Sequence, residues 1–151
     1  TAVEERFRHT YHAIDDHKIK KGVDKLFFIV DSIADSTRKN YDYAKALAPI
    51  LTSRRSDPFT SIRMNTYRNA VMQIDDEGDF LNWVDVDVIA QVVYRHVMPL
   101  YVGWYMDSAR VKSEDVTKYD LCLMLSSVTK GYTHQKVTKT TRVLQKRLGK
   151  N

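Results

Sequence analysis

Apolar residues recur along this chain at helical spacing, and the recurrence divides it into segments. Val3, Phe7, Tyr11 and Ile14 mark one face of an amphipathic helix over residues 2 to about 15. The pattern pauses around Gly22 and resumes as Val23, Leu26, Phe27, Val30, Ile33 and Ala34, a core-facing stripe. A third apolar cluster runs from Tyr41 to Leu51, where Pro49 should kink or end a helix. Ser56-Asp57-Pro58 reads as a helix start, a capping side chain followed by proline at the first helical position. The stripe behind it is the clearest in the chain: Phe59, Ile62, Thr66, Tyr67, Ala70, Val71 and Ile74. The acidic run Asp75-Asp76-Glu77-Gly78-Asp79 then breaks it.

Residues 80–106 are apolar on nearly every side, which predicts a buried central helix at about 85–106. Within it Trp83-Val84-Asp85-Val86-Asp87-Val88 alternates as a strand would, but the length of the segment and the lack of a partner strand favour helix. Pro99 should disturb that helix near its end. Ser113, followed by Glu114 and Asp115, starts another helix, with acidic groups at the positive end of its dipole, running to about Val128. Thr129-Lys130-Gly131-Tyr132 turns the chain, Thr133 caps, and a last helix spans His134 to about Leu148. There are no internal repeats, linkers or low-complexity stretches. The expected fold is all-α: one domain over residues 1–151, a compact bundle of six or seven helices with a buried central helix and a basic C-terminal one.

Composition agrees with this. With 43% hydrophobic and 28% charged residues the chain has enough apolar matter for a core. Its 151 residues suit one core and are few for two. Five glycines and three prolines are too few to punctuate an all-β sandwich. The single Cys122 sits in the apolar run Leu121 to Leu125 and reads as a free buried thiol, so a reducing, intracellular or cytoplasmic setting is expected. No secretory signal is evident. No stretch of eighteen uninterrupted apolar residues occurs; the nearest, Val84 to Met106, contains Asp85, Asp87, Gln91, Arg95 and His96, which would be costly in lipid, so no membrane span and no membrane partner are expected.

Charge changes the picture more. The net charge is +5, but Asp120 is the last acidic residue. From Leu121 onward the basic residues are Lys130, Lys136, Lys139, Arg142, Lys146, Arg147 and Lys150. The 24 basic residues less those seven leave 17 against 19 acidic ones, a net −2 for residues 1–120. In the last helix Val137, Thr141, Leu144 and Leu148 share one face, and Lys136, Lys139, Arg142, Lys146 and Lys150 fall mostly opposite. A helix that docks by an apolar stripe and turns cations outward can neutralise phosphates, which gives affinity without base specificity. Thr133, Thr138 and Thr140 add hydroxyls suited to phosphate or base-edge contacts. Cations near a helix C-terminus also serve the dipole, and many basic faces are only solvated. The absence of acidic residues over 31 positions is what favours a ligand, because solubilising faces mix both signs.

The stretch from Leu121 to Leu148 resembles a helix-turn-helix. Gly131 stands where that motif has its turn glycine, Ser127 at the small residue four before it, and Val137 at the buried residue six after it. The resemblance implies that Thr133, His134, Gln135, Lys136 and Lys139 face the major groove while the rest contact phosphates. Lys130 and Thr140 depart from it, standing where the motif usually places aliphatic residues. Arg54 and Arg55, ahead of the helix start at Ser56, form a second small basic site that could extend the surface.

No other chemistry is expected. His9, His12, Asp16 and His17 could share a helix face, but that face points away from Val3, Phe7, Tyr11 and Ile14, where no buried shell supports a metal. The acidic run at 75–79 lacks EF-hand spacing. Asp85 and Asp87 would point about 200° apart on a helix, which rules out an acid–base pair. Nothing resembles a phosphate loop, a dinucleotide turn or a nucleophile elbow. The expectation is therefore a non-enzymatic nucleic-acid-binding protein, for DNA or RNA, a regulator or a subunit of a nucleoprotein assembly, with no cofactor, metal or small-molecule substrate. The alternative is a helical interaction or structural assembly protein, a viral or phage component or an adaptor, working on a protein partner or a second copy of itself. Its surface would use the aromatic-rich stretch holding Tyr94, Tyr101, Trp104 and Tyr105, which are otherwise core.

Overall fold

The structure is a computed structural model that describes residues 18–39, 60–106 and 113–150, with the isolated positions 5, 42 and 49. The helix expected at 2–15, the cluster at 41–51, the start at Ser56-Asp57-Pro58, the pair Arg54 and Arg55, and His9, His12, Asp16 and His17 lie outside the described residues, apart from the isolated positions named.

Five helices are described: α1 (Gly22–Lys39), α2 (Thr60–Asp76), α3 (Val86–Met106), α4 (Ser113–Ser126) and α5 (Gly131–Gly149). The described residues are thus all-helical and form a compact bundle, with five helices where six or seven are expected for the whole chain. The stripes read from the sequence are the core. Val23, Leu26, Phe27, Val30 and Ala34 of α1 are buried against Tyr67, Ala70, Val71 and Ile74 of α2 and Val93, Tyr94 and Val97 of α3. Tyr67 and Tyr94 stack in a tilted pair with ring centroids 5.8 Å apart. Leu121, Cys122 and Leu125 of α4 and Val137 and Leu144 of α5 complete it. At Gly22 the backbones of α1 and α2 nearly touch: a Cβ there would lie 2.8 Å from the Ile74 nitrogen and 2.9 Å from the Ala70 carbonyl.

Several element bounds differ from the expected ones, each for a local reason. α3 begins at Val86, beside the expected start at about 85, because the Asp85 carboxylate accepts hydrogen bonds from the amides of Asp87 at 3.0 Å and Val88 at 3.2 Å, a side-chain N-cap. The alternating run Trp83 to Val88 is thus a loop feeding a helix, and it leaves Trp83 71% exposed. α3 continues through Pro99 to Met106. α4 stops at Ser126 rather than Val128; the Ser126 and Ser127 hydroxyls donate to the carbonyls of Leu123 and Met124, each at 2.7 Å. α5 starts three residues early, at Gly131.

The turns after α2 and α4 meet. Phe80 and Thr129 form an isolated antiparallel bridge, with the Leu81 amide donating to the Val128 carbonyl at 2.9 Å and the Lys130 amide to the Asp79 carbonyl at 2.8 Å. This short pairing carries the end of the acidic run to the start of α5.

No helix among the described residues is long and apolar enough to cross a membrane.

Candidate nucleic-acid interface

The basic residues of the C-terminal segment are carried by α5, and the packing of that helix decides which of them face outward. Thr133, Val137 and Leu144 are buried, so the side of α5 toward the bundle is fixed. At about 100° per residue, Gln135, Lys139, Arg142 and Lys146 project on the far side, with Val143 and the end residue Lys150 beside them. All six are exposed. A shallow groove of about 380 Å³ runs along this face, lined by His134, Gln135, Thr138, Lys139, Arg142, Val143 and Lys146. Along it the cations recur every three or four residues. From Lys139 to Lys150 they span about 16 Å at 1.5 Å of rise per residue.

Four carboxylates hold the N-terminal ends of α1 and α5 and the flanks of α5 in place. The Asp79 Oδ2 atom accepts from the Thr133 amide at 3.0 Å and from the Thr133 hydroxyl at 2.6 Å, so it caps α5 from another part of the chain. Lys130, at the N-cap position, gives no side-chain cap of its own. Gly131 adopts a left-handed φ of 64°, and a Cβ there would lie 2.6 Å from Asp79 Oδ1. Glu77 receives the Gly22 amide at 3.2 and 3.3 Å and so caps α1. The acidic run at 75–79 is therefore a double helix cap. Asp24, in the first turn of α1, accepts the Tyr132 hydroxyl at 2.7 Å and faces Lys136 at 3.7 Å. That hydrogen bond, with the neighbouring carboxylate charges, raises the pKa of Tyr132 above its ordinary value. At the other end, Arg147 lies 3.4 Å from Asp115 of α4.

The residues expected to touch a ligand thus separate into groups. Lys139, Arg142, Lys146 and Lys150 are exposed and form no ion pair among the described residues. Gln135 and His134 lie on the same groove, and the His134 Nδ1 atom is buried without a hydrogen-bond partner. Lys130 is exposed but precedes the helix, next to the acidic cap. Lys136 and Arg147 are flank residues tied to carboxylates. Thr133 is 0% exposed with its hydroxyl committed to Asp79, so it cannot cap α5 by itself and has no surface to offer a base edge. The Thr140 hydroxyl donates to the Lys136 carbonyl at 2.8 Å, which leaves Thr138 as the hydroxyl on the groove. Val137 is buried, as a helix-turn-helix would have it, but the start of α5, where that motif reads bases, is surrounded by Asp24, Glu77 and Asp79. Sequence reading did not find those carboxylates, because their partners are far away in the chain, 54 and 55 residues for Asp79 and Glu77 and 108 for Asp24 with Tyr132; the glycine and the unusually acidic run were the local signals.

Cys122 is fully buried, and burial pushes its thiol up to about 11. It is a packing residue beside Thr141 and not a nucleophile.

No known protein family, characterised protein or solved structure matches this chain.

Proposed function

We propose that the outer face of α5 is a phosphate-binding face through which the protein holds DNA or RNA. The observation that carries this reading is the row Lys139, Arg142 and Lys146, exposed cations along a groove on one side of α5 and followed by the exposed Lys150 at its C-cap, with no acidic residue after Asp120 in the sequence. Such a row matches a polyanion better than a small anion, which a convergent cluster would suit. Contact is chiefly with backbone phosphates, because the charged groups of the groove form a periodic row along one helix, and Gln135, Thr138 and His134 are the neutral hydrogen-bonding groups beside it. The acidic start of α5 disfavours insertion of that end into a major groove.

Fluorescence anisotropy with single- and double-stranded DNA and RNA over a salt series tests it. Four phosphate contacts predict a fall of log K with log salt of about 3.6 on duplex DNA, at roughly 0.9 per contact. Reversing Lys139 and Arg142 to Glu should weaken binding to every sequence alike. Absence of binding to all four polymers at low salt overturns the proposal.

A second reading, a helical interaction protein, is favoured by one observation. Trp83 is 71% exposed and Val88, at the start of α3, is 51% exposed, which makes this loop the apolar surface such a function would use. Of the aromatic stretch considered for that surface, Tyr94 is in the core, and the side chains of Tyr101, Trp104 and Tyr105 lie outside those described. Light scattering distinguishes the two: a stable oligomer that Trp83→Ala dissociates, together with no nucleic-acid affinity, supports the second.

A further inference from the structure

We infer that Asp24 and Asp115 are built-in counter-ions that withhold Lys136 and Arg147 from the ligand, setting the phosphate contacts of α5 and its C-cap Lys150 at four where their sequence provides six. This rests on the reading of α5 as a phosphate-binding face and concerns how strongly that face is allowed to bind.

Lys136 and Arg147 are eleven residues apart, close to three helical turns, so they lie almost above one another. They make a second cationic row beside the free one, rotated from Lys139 by roughly 60° around the helix. Both have exposed side chains, 41% and 60%, so neither is sterically barred from a polyanion lying along the outer face. What distinguishes them is that each faces a carboxylate from a different helix: Asp24 Oδ1 at 3.7 Å from the Lys136 ammonium, and Asp115 Oδ1 at 3.4 Å from the Arg147 guanidinium.

The two carboxylates share a placement. Asp24 lies in the first turn of α1 and Asp115 in the first turn of α4, each at the positive end of a helix dipole. Both are more shielded than their cationic partners, with side chains 26% and 23% exposed. Asp24 is also fixed by the Tyr132 hydroxyl, and its Oδ1 atom is buried with no hydrogen-bond donor, which leaves Lys136 as the charge it faces. A phosphate that recruits Lys136 or Arg147 must therefore leave a localised, partly shielded carboxylate uncompensated beside a polyanion. Isolated surface ion pairs contribute little to stability, so their role here is in the charge presented to a ligand.

The experiment is anisotropy of a short mixed-sequence DNA duplex over a salt series, with the full chain as wild type and as Asp24→Asn, Asp115→Asn and the double variant. Asparagine keeps an acceptor for Tyr132 and removes the charge. Each single change is expected to steepen the salt slope by about 0.9, taking it from about 3.6 in the wild type to about 5.4 in the double variant. Lys136→Gln should leave the wild-type slope unchanged and cancel the gain in Asp24→Asn. Asp35→Asn, which neutralises a carboxylate paired within α1, should leave the slope as it is. Asp24 and Asp115 act at opposite ends of α5, so a folding defect in one variant leaves the other to decide. A wild type that binds while both Asn variants keep its slope overturns the inference and leaves the phosphate face standing. A wild type that binds no nucleic acid overturns both.

Discussion

The Asp79 carboxylate accepts both the amide and the hydroxyl of Thr133, at 3.0 and 2.6 Å, and by doing so begins the helix that carries the candidate site. One side chain thereby performs the cap that a residue at the helix start ordinarily provides, and it saturates a threonine with no access to water. The orientation of the cationic face depends on this contact, since α5 cannot rotate without breaking it.

Asp79→Ala removes the cap and orphans the buried Thr133 hydroxyl. The expected destabilisation is about 2–4 kcal/mol, the sum of a lost N-cap and an unsatisfied buried donor. Asp79→Asn, which keeps an acceptor, should cost less than half of that. Urea unfolding followed by circular dichroism measures both, and an alanine variant within about 0.5 kcal/mol of wild type would contradict the capping role.

The glycines should rank by what surrounds them. Gly131→Ala forces a left-handed alanine and pushes Asp79 off its partners, a cost of about 2 kcal/mol or more. Gly22→Ala drives a methyl group into the backbone of α2, which cannot swing aside, and should cost about 1–3 kcal/mol. Gly149→Ala, with open space around it, should be neutral or stabilising by up to about 1 kcal/mol. Thermal melts of the three variants report the order, and a Gly149 variant less stable than the Gly22 variant would show the packing to be otherwise.

Cys122 makes stability fall at alkaline pH. Its folded-state value of about 11 lies above the usual value of 9.0, so the unfolded chain releases this proton first. Its contribution is fully present below pH 9 and is lost as pH rises toward 11, by about 2–3 kcal/mol at roughly 1.4 per unit. The difference between wild type and Cys122→Ala across that window isolates the effect from other titrating groups. Native protein should also resist a thiol reagent at neutral pH and react on unfolding; fast labelling of the folded state would refute the burial.

Salt should govern nucleic-acid binding through the free row. Single replacement of Lys139, Arg142 or Lys146 by Gln should lower the duplex salt slope by about 0.9 each, without changing preference among sequences. Lys130→Gln, next to the acidic cap, should change it less. Equal effects at all four positions would mean that charge is read as a total and not as a row.

The five described helices, their inward faces and the basic asymmetry were legible in the sequence alone. Helical periodicity is a property of residues three and four apart, so Val23 to Ala34, Thr66 to Ile74 and Val137 with Leu144 could be placed in the core without knowing what packs on them. Lys139, Arg142 and Lys146 follow from the same reasoning, as the positions opposite a buried stripe. Only the tertiary structure decided which polar groups find partners. Asp79 caps a helix 54 residues further on, Glu77 caps one 55 residues back, and Asp24 and Asp115 claim two of the seven cations. A hydrogen bond or ion pair depends on a few ångströms of proximity, which the packing of distant helices sets and no local pattern records. The basic segment was legible as a charge; its division into free and withheld cations was not.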